Sequence, residues 1–252
     1  LFFHSWRSGG YGRADLWVTT RPTVFHNWGT PVNLGSTVNS SYYDGFPSIS
    51  ADGLSLYFGE WDFPYRPGGY GGSDMRVTTR TTIHDDWGEP VNLGPTVNSS
   101  SDDDAPFITA DGLTLFFASN RSGPYDFWVT TRPTTEDDWV TPVNLGPVVN
   151  SSAMEGCPSI SADGSTLYFN SDRPDGVGGY DIWQVRVRPM NAIADFNRDK
   201  IVDFKDFSEF SLYLFQDEPW FDIAPAQPFG DGIVDFKDVG VFSENWLSST
   251  RQ

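Results

Sequence analysis

Apolar residues in this chain come in short runs, and the runs themselves recur. Brief stretches such as FPSIS (46–50), PFIT (106–109) and CPSIS (157–161) each carry a Pro at or near the first position, where a β-strand tolerates it. The pairs Asp52-Gly53, Asp111-Gly112 and Asp163-Gly164 follow, and they predict tight hairpin turns with φ > 0. After each turn comes an apolar run of the type LYF, then a third run: DLWVTTRP (15–22), DMRVTTRT (74–81), DFWVTTRP (126–133) and DIWQVRVRP (181–189). The fourth is PVNLG at 31–35, 90–94 and 142–146, entered from Trp28, Trp87 or Trp139. Four short strands per unit are the expectation. Past residue 190 the period changes: Phe207, Phe210 and Leu214 recur at helical spacing, as do Val239, Phe242 and Trp246.

One cassette punctuates the β-rich part: NLGSTVNSS (33–41), NLGPTVNSS (92–100) and NLGPVVNSS (144–152). Its copies begin 59 and 52 residues apart. Repeats of this length, made of strands and turns, predict radial or stacked repetition, and four antiparallel strands per repeat describe a propeller blade. The pattern P-x-I-S-A-D-G-x-x-L-Y-F-x-S-x-R-x-G-G followed by D-L-W-V resembles the TolB-type, WD-repeat-like β-propeller family over residues 1–188. Fold class is therefore expected to be mainly β, an incomplete propeller of about four blade units with partial terminal ones. Leu1-Phe2-Phe3 aligns with Leu56-Tyr57-Phe58, so the chain opens inside a repeat, and further N-terminal sequence with any export signal is expected.

Charge narrows the partners. The formal net charge is -18, which disfavours nucleic acid and anionic membranes and suits cations, or neutral ligands held by stacking and hydrogen bonds. Every base before residue 190 is an Arg. A single cysteine, Cys157, precludes an intramolecular disulfide framework, and no apolar run reaches membrane-spanning length.

Within the repeats, an Arg follows the second run (Arg7, Arg66, Arg121, Arg173) and an acid precedes the strand Pro by three residues (Asp44, Asp103, Glu155). These charges either line a channel or pair within each blade, and their recurrence in every copy favours pairing. Asp15, Asp74, Asp126 and Asp181, ahead of each third run, are expected as turn or cap residues. The length difference between copies lies in one loop, which opens Glu60-Trp61-Asp62-Phe63-Pro64-Tyr65. Trp61, Phe63 and Tyr65 form either a sugar-stacking platform or an aromatic plug on the adjacent blade.

The residues Pro189–Ile193 read as a linker, and 194–252 as a second domain. Asp195, Asn197, Asp199, Asp203 and Asp206 occupy positions 1, 3, 5, 9 and 12 of a twelve-residue loop, with Ile201 placed to give its carbonyl at position 7. Oxygen ligands at these spacings are those of an EF-hand type Ca²⁺ loop. The string IVDFKD recurs at 233–238, so Asp231, Ile233, Asp235 and Asp238 are the matching ligands of a second loop. There positions 1 and 3 fall on Gln227 and Phe229, and Asp222 is expected to supply position 1 across an insertion. Two such loops, each followed by a helix, resemble a type I dockerin over roughly residues 194–247. That resemblance implies a small α-helical EF-hand-like domain, two Ca²⁺ ions, and a cohesin-like or cell-surface partner met by Phe204, Lys205, Phe236 and Lys237. Those four are not the Ser or Thr often found at such positions, which argues against a familiar cohesin.

No nucleophile elbow, phosphate loop or dinucleotide fingerprint is present, and His4, His26 and His84 lack metal-ligand spacing from one another. The reading is a secreted or cell-surface binding or scaffold protein, its propeller taking a glycan, peptide or protein and its tail attaching it through Ca²⁺. The alternative is an accessory region of an extracellular polysaccharide hydrolase. Chelator is expected to lower the helical circular dichroism of the isolated tail, because unneutralised carboxylates at this density repel; an unchanged spectrum would refute the Ca²⁺ loops.

Overall fold

The structure, a computed structural model, describes residues 1–61, 68–147, 149–161 and 165–186. They form fourteen strands in four antiparallel sheets. The first sheet holds β1 (Phe2–Ser5), β2 (Asp15–Val18) and β3 (Val32–Asn33). The second holds β4 (Tyr43–Ile49), β5 (Ser55–Trp61), β6 (Ser73–Thr79) and β7 (Val91–Asn92) in chain order. The third repeats that order with β8 (Asp103–Ile108), β9 (Thr114–Ser119), β10 (Asp126–Thr131) and β11 (Val143–Asn144). The fourth has β12 (Glu155–Ile160), β13 (Thr166–Ser171) and β14 (Asp181–Arg186). Two complete four-stranded blades between two partial ones is the arrangement that the repeats implied.

Successive sheets pack through the apolar residues of the shared runs. Leu16 of the first sheet and Leu56 and Phe58 of the second close around Val38, all fully buried. Tyr57 and Met75 of the second sheet meet Ile108, Leu115 and Phe117 of the third around Val97. Both valines come from the cassette, which therefore sits at the blade junctions. Its Gly35, Gly94 and Gly146 adopt φ of +87°, +80° and +73°, a region that L-residues with side chains avoid.

The cassette's second asparagine is the main polar tie. Asn98 is buried; its Oδ1 accepts the Met75 N–H at 3.0 Å, and its Nδ2 donates to the Met75 carbonyl at 2.9 Å and to Asn92 Oδ1 at 2.8 Å. Asn39 does the same to Leu16 and Asn33, and Asn150 to Phe127 and Asn144. The first asparagine in turn donates to the Asp that opens the third strand, Asn33 to Asp15 at 2.7 Å and Asn92 to Asp74 at 3.0 Å. Those aspartates also accept turn amides, Tyr11 and Gly12 for Asp15, Tyr70 and Gly71 for Asp74, as their expected role requires.

Two local expectations are corrected. The first strand of each blade begins at Tyr43, Asp103 and Glu155, ahead of the Pro, and Pro47 and Pro106 lie within it. They are accommodated by bulges: register passes from Gly45↔Gly59 to Ser48↔Tyr57, and from Asp104↔Ala118 to Phe107↔Phe116. A bulge tolerates Pro because the extra residue leaves the hydrogen-bond ladder. The Asp-Gly turns are also longer than a two-residue hairpin. Gly53 and Gly112 have positive φ but the preceding aspartates do not. Asp52 instead accepts from Ser50 Oγ at 2.5 Å and from the Leu54 N–H at 2.9 Å, bracing a four-residue loop between Ser50 and Ser55. Asp163-Gly164 lies outside the described residues.

By Cα packing the chain divides into two units, one of Leu1–Ile160 with Tyr168–Gln184 and one of Ser161–Leu167 with Val185–Gln252. In the second, Ser161 Oγ accepts the N–H groups of Ser165 at 3.2 Å and Thr166 at 2.9 Å. Among the described residues no helix is long and apolar enough to cross a membrane. Asn98→Ala leaves the Met75 amide unpaired in a buried site, while the Met75 carbonyl keeps the Leu93 N–H at 3.1 Å, so it is expected to destabilise the protein by about 2 kcal/mol in urea unfolding. A loss well under 1 kcal/mol would show that the cassette asparagines do not tie the blades.

Candidate functional site

The recurrent charges prove architectural where both partners are described. Arg121 Nη2 donates to Asp103, and Arg173 Nη2 to Glu155 at 2.8 Å, each acid being fully buried. The same guanidinium nitrogens donate to the cassette carbonyls of Val97 and Val149 at 2.6 Å. Each Arg also stands between two rings, Arg121 at 5.2 Å from Phe117 and 5.0 Å from Trp128, Arg173 at 4.9 Å from Phe169 and 5.2 Å from Trp183. Arg7 occupies the same slot over Phe3 and Trp17. The second blade departs from this, with Arg76 in the Trp position forming a buried 2.5 Å pair with Glu60. Arg66 lies outside the described residues.

The positions where the repeats diverge are chemically more interesting. Phe46 and Ala105, at the two bulges, and Cys157, their counterpart in the fourth blade, all have positive φ, +53°, +50° and +53°. Such a conformation strains a residue with a Cβ by about 1 kcal/mol and recurs here in three blades. In the second blade the bulge sits beside two glycines, Gly45 and Gly59, which face each other in register. A Cβ on Gly45 would fall 2.3 Å from the Tyr43 ring, and one on Gly59 would collide with the Asp104 carboxylate. Residues directly opposite in an antiparallel pair present the same face. The glycine pair is therefore a floor on which the Tyr43 ring and the Asp104 carboxylate lie side by side.

Around Tyr43 the aromatics converge. Trp61, its register partner, lies at 6.0 Å centroid to centroid and nearly perpendicular; Trp6 lies at 5.7 Å, His4 at 5.5 Å and Phe46 at 6.1 Å. Tyr43 itself is buried, whereas Trp6 and Trp61 are 67% and 53% exposed. The result is a packed base carrying two open indoles. The His4 tautomer follows from its partners: the Phe46 N–H can only donate, so Nδ1 accepts it at 3.3 Å and Nε2–H donates to the Tyr43 hydroxyl at 3.0 Å. Burial pulls the His4 pKa below its ordinary value, consistent with a neutral ring.

The acidic side of the site comes from the start of β8 and the residue before it. Asp103 is paired as above, and Asp102 accepts from Asn120 Nδ2 at 2.9 Å and the Tyr125 hydroxyl at 3.1 Å. Asp104, partly buried, accepts the Ala105 N–H at 2.7 Å. Burial first, then the charges of Asp102 and Asp103, raise its pKa from 3.8 to about 7. Burial followed by the field of Asp104 pushes the Tyr43 hydroxyl up to about 12, and the Tyr125 hydroxyl rises for the same kinds of reason.

Of the residues singled out from sequence, Trp61 joins this platform, while Phe63 and Tyr65 lie outside the described residues. So do all the tail positions, from Asp195 through Asp206 to Asp238, and the partner-facing Phe204, Lys205, Phe236 and Lys237. Sequence reasoning missed His4, Trp6, Tyr43, Phe46 and Asp104. The available signal was divergence between aligned copies: Tyr43 stands where the others have Asp102 and Met154, Gly45 where they have Asp104 and Gly156, and Gly59 where they have His4 and Ala118.

No protein-family model matches this chain, and no curated protein matches it. Among solved structures it is similar to TolB from Acinetobacter baumannii, at 16% identity and TM-score 0.46, over 74% of this chain and 40% of that one. A xylan β-1,4-xylosidase from Bacillus halodurans matches at 17% identity and TM-score 0.49, over 72% of this chain and 37% of that one. An endo-arabinase from Bacteroides thetaiotaomicron matches at 15% identity and TM-score 0.45, over 73% and 78%. The chain thus spans well under half the length of the first two. The assignment of blades stands on the strand order and register given above.

The raised pKa of Asp104 has a definite sign in stability. Between pH 3.8 and about 7 the folded chain holds a proton there that the unfolded chain has lost, so this contribution falls as pH rises through that window and is level above it. The stability difference between the parent and Asp104→Asn is expected to follow that curve in denaturant unfolding from pH 4 to pH 8. A pH-independent difference would contradict the assignment.

Proposed function

We propose that this chain is a non-catalytic, extracellular or cell-surface binding protein whose propeller face takes a glycan on the Trp6–Tyr43–Trp61 platform. One observation carries the reading: two exposed indoles stand on a packed aromatic base above a glycine pair. Flat apolar faces with acceptors nearby are what a sugar needs, since its C–H face stacks on a ring and its hydroxyls find oxygen and nitrogen partners. His4 spends both ring nitrogens on Phe46 and Tyr43, so it holds the platform rather than acting as a free base.

The tail, 194–252, is proposed as a Ca²⁺-dependent attachment module with a cohesin-like or cell-surface partner. The support is the spacing of Asp195, Asn197, Asp199, Asp203 and Asp206 and the repeat of IVDFKD at 233–238. Its first loop matches the ligand spacing directly, whereas the second needs Asp222 across an insertion.

A second reading, an accessory or catalytic part of a polysaccharide hydrolase, draws on Asp104, whose carboxyl holds its proton to about pH 7 as a general acid must. A glycan array beside a polysaccharide hydrolysis screen separates the two. Binding without turnover, weakened about tenfold or more by Trp61→Ala, supports the binding reading. Turnover that Asp104→Asn abolishes would replace it with the second.

A further inference from the structure

Resting on the platform reading above, we propose that Asp104 makes this site selective for glycans that carry an ammonium group beside the sugar face stacked on Trp61. The argument begins with placement. Gly59 and Trp61 are two residues apart on β5, so they address the same face, and Asp104 lies over Gly59. The carboxylate is therefore set about 7 Å along the strand from the position of the exposed indole, the scale of one sugar ring.

The second part is the balance of charge. Among the described residues, the titratable groups facing Asp104 are Tyr43 from β4, Asp102 just ahead of β8, Asp103 from β8, Tyr125 ahead of β10 and Cys157 from β12, and none of these is a cation. Asp103 has Arg121, and Asp102 has Asn120 and the Tyr125 hydroxyl; Asp104 has the amide of its own neighbour. A ligand ammonium would supply the missing countercharge, with the Tyr43 and Trp61 rings offering it cation–π stabilisation. Gly59 is what admits the carboxylate to this face: its counterparts His4, Ala118 and Asn170 all carry side chains. The third blade alone among the aligned copies places an acid here, since Gly45 and Gly156 are its counterparts.

Arrival of the ammonium converts Asp104 from its protonated to its ionised form below pH 7, and the carboxyl proton passes to the buffer. Selectivity and proton release are thus one event. The probes are a chitosan tetrasaccharide with free amines and the same tetrasaccharide N-acetylated, titrated calorimetrically at pH 6 in two buffers of different ionisation enthalpy. The expected result is about tenfold tighter binding of the amine form, with proton release that the N-acetylated form does not cause. In Asp104→Asn, and in Asp104→Ser as a second variant checked by thermal melting, both the preference and the proton release disappear. Equal binding of the two sugars without proton release overturns the selectivity and leaves the platform standing. A preference that survives in both variants overturns the role of Asp104. Failure of both sugars to bind overturns the platform and the selectivity together.

Discussion

The structure depends on a side chain imitating a strand. Where the third strand of each blade would need another neighbour at Leu16, Met75 or Phe127, a buried asparagine supplies both a carbonyl and an amide to that residue's backbone. The carbonyl also takes the N–H of Leu34, Leu93 or Leu145, but the amide has the asparagine, and a buried amide without a partner costs about 1–3 kcal/mol, so the asparagine is not replaceable by an apolar residue of similar size. Because it lies six residues after the Asn that pairs with the third strand, it also sets where the connecting loop must turn. That turn requires the left-handed glycine of the cassette.

From this tie the geometry of the next blade follows. The residue after the asparagine is a serine whose amide and hydroxyl reach the acid of the following first strand, Ser40 to Asp44, Ser99 to Asp103 and Ser151 to Glu155. In the third and fourth blades that acid receives an Arg pressed between two aromatic rings. A buried pair of this kind contributes little net stability compared with apolar packing, but it fixes one arrangement and is costly to break from either side. The frame is thus repeated and rigid, and variation is left to the first-strand bulge.

The bulge turns that freedom into a site. An extra residue in the left-handed region rotates the strand and re-aims its side chains, and two facing glycines in the second blade leave the sheet surface bare. Into that space fold a tyrosine from one side and an aspartate from the next blade. Neither could lie there if residues 45 and 59 carried side chains. The absence of two Cβ atoms is what brings an aromatic platform and the Asp104 carboxylate together.

Repetition in the sequence determined the β-rich class, the four strands per unit, the partial terminal blades and the pairing role of the recurrent charges. Each of these is local or periodic, and physical chemistry reads both from residue order. Trp61 was legible too, because it opens the one loop that breaks the period. His4, Tyr43, Phe46 and Asp104 were not, since His4, Tyr43 and Asp104 are 39 to 100 residues apart and only the packing of β1 on β4, the register of β4 on β5, and the packing of β8 over Gly59 unite them. The displaced strand starts have the same cause: a proline looks like a boundary until a bulge, decided by contact with the neighbouring strand, allows it inside the ladder. Composition could show that carboxylates abound, but only tertiary structure decided which one lies beside aromatic rings with no cation against it among the described residues, because burial and neighbours set that and sequence spacing does not.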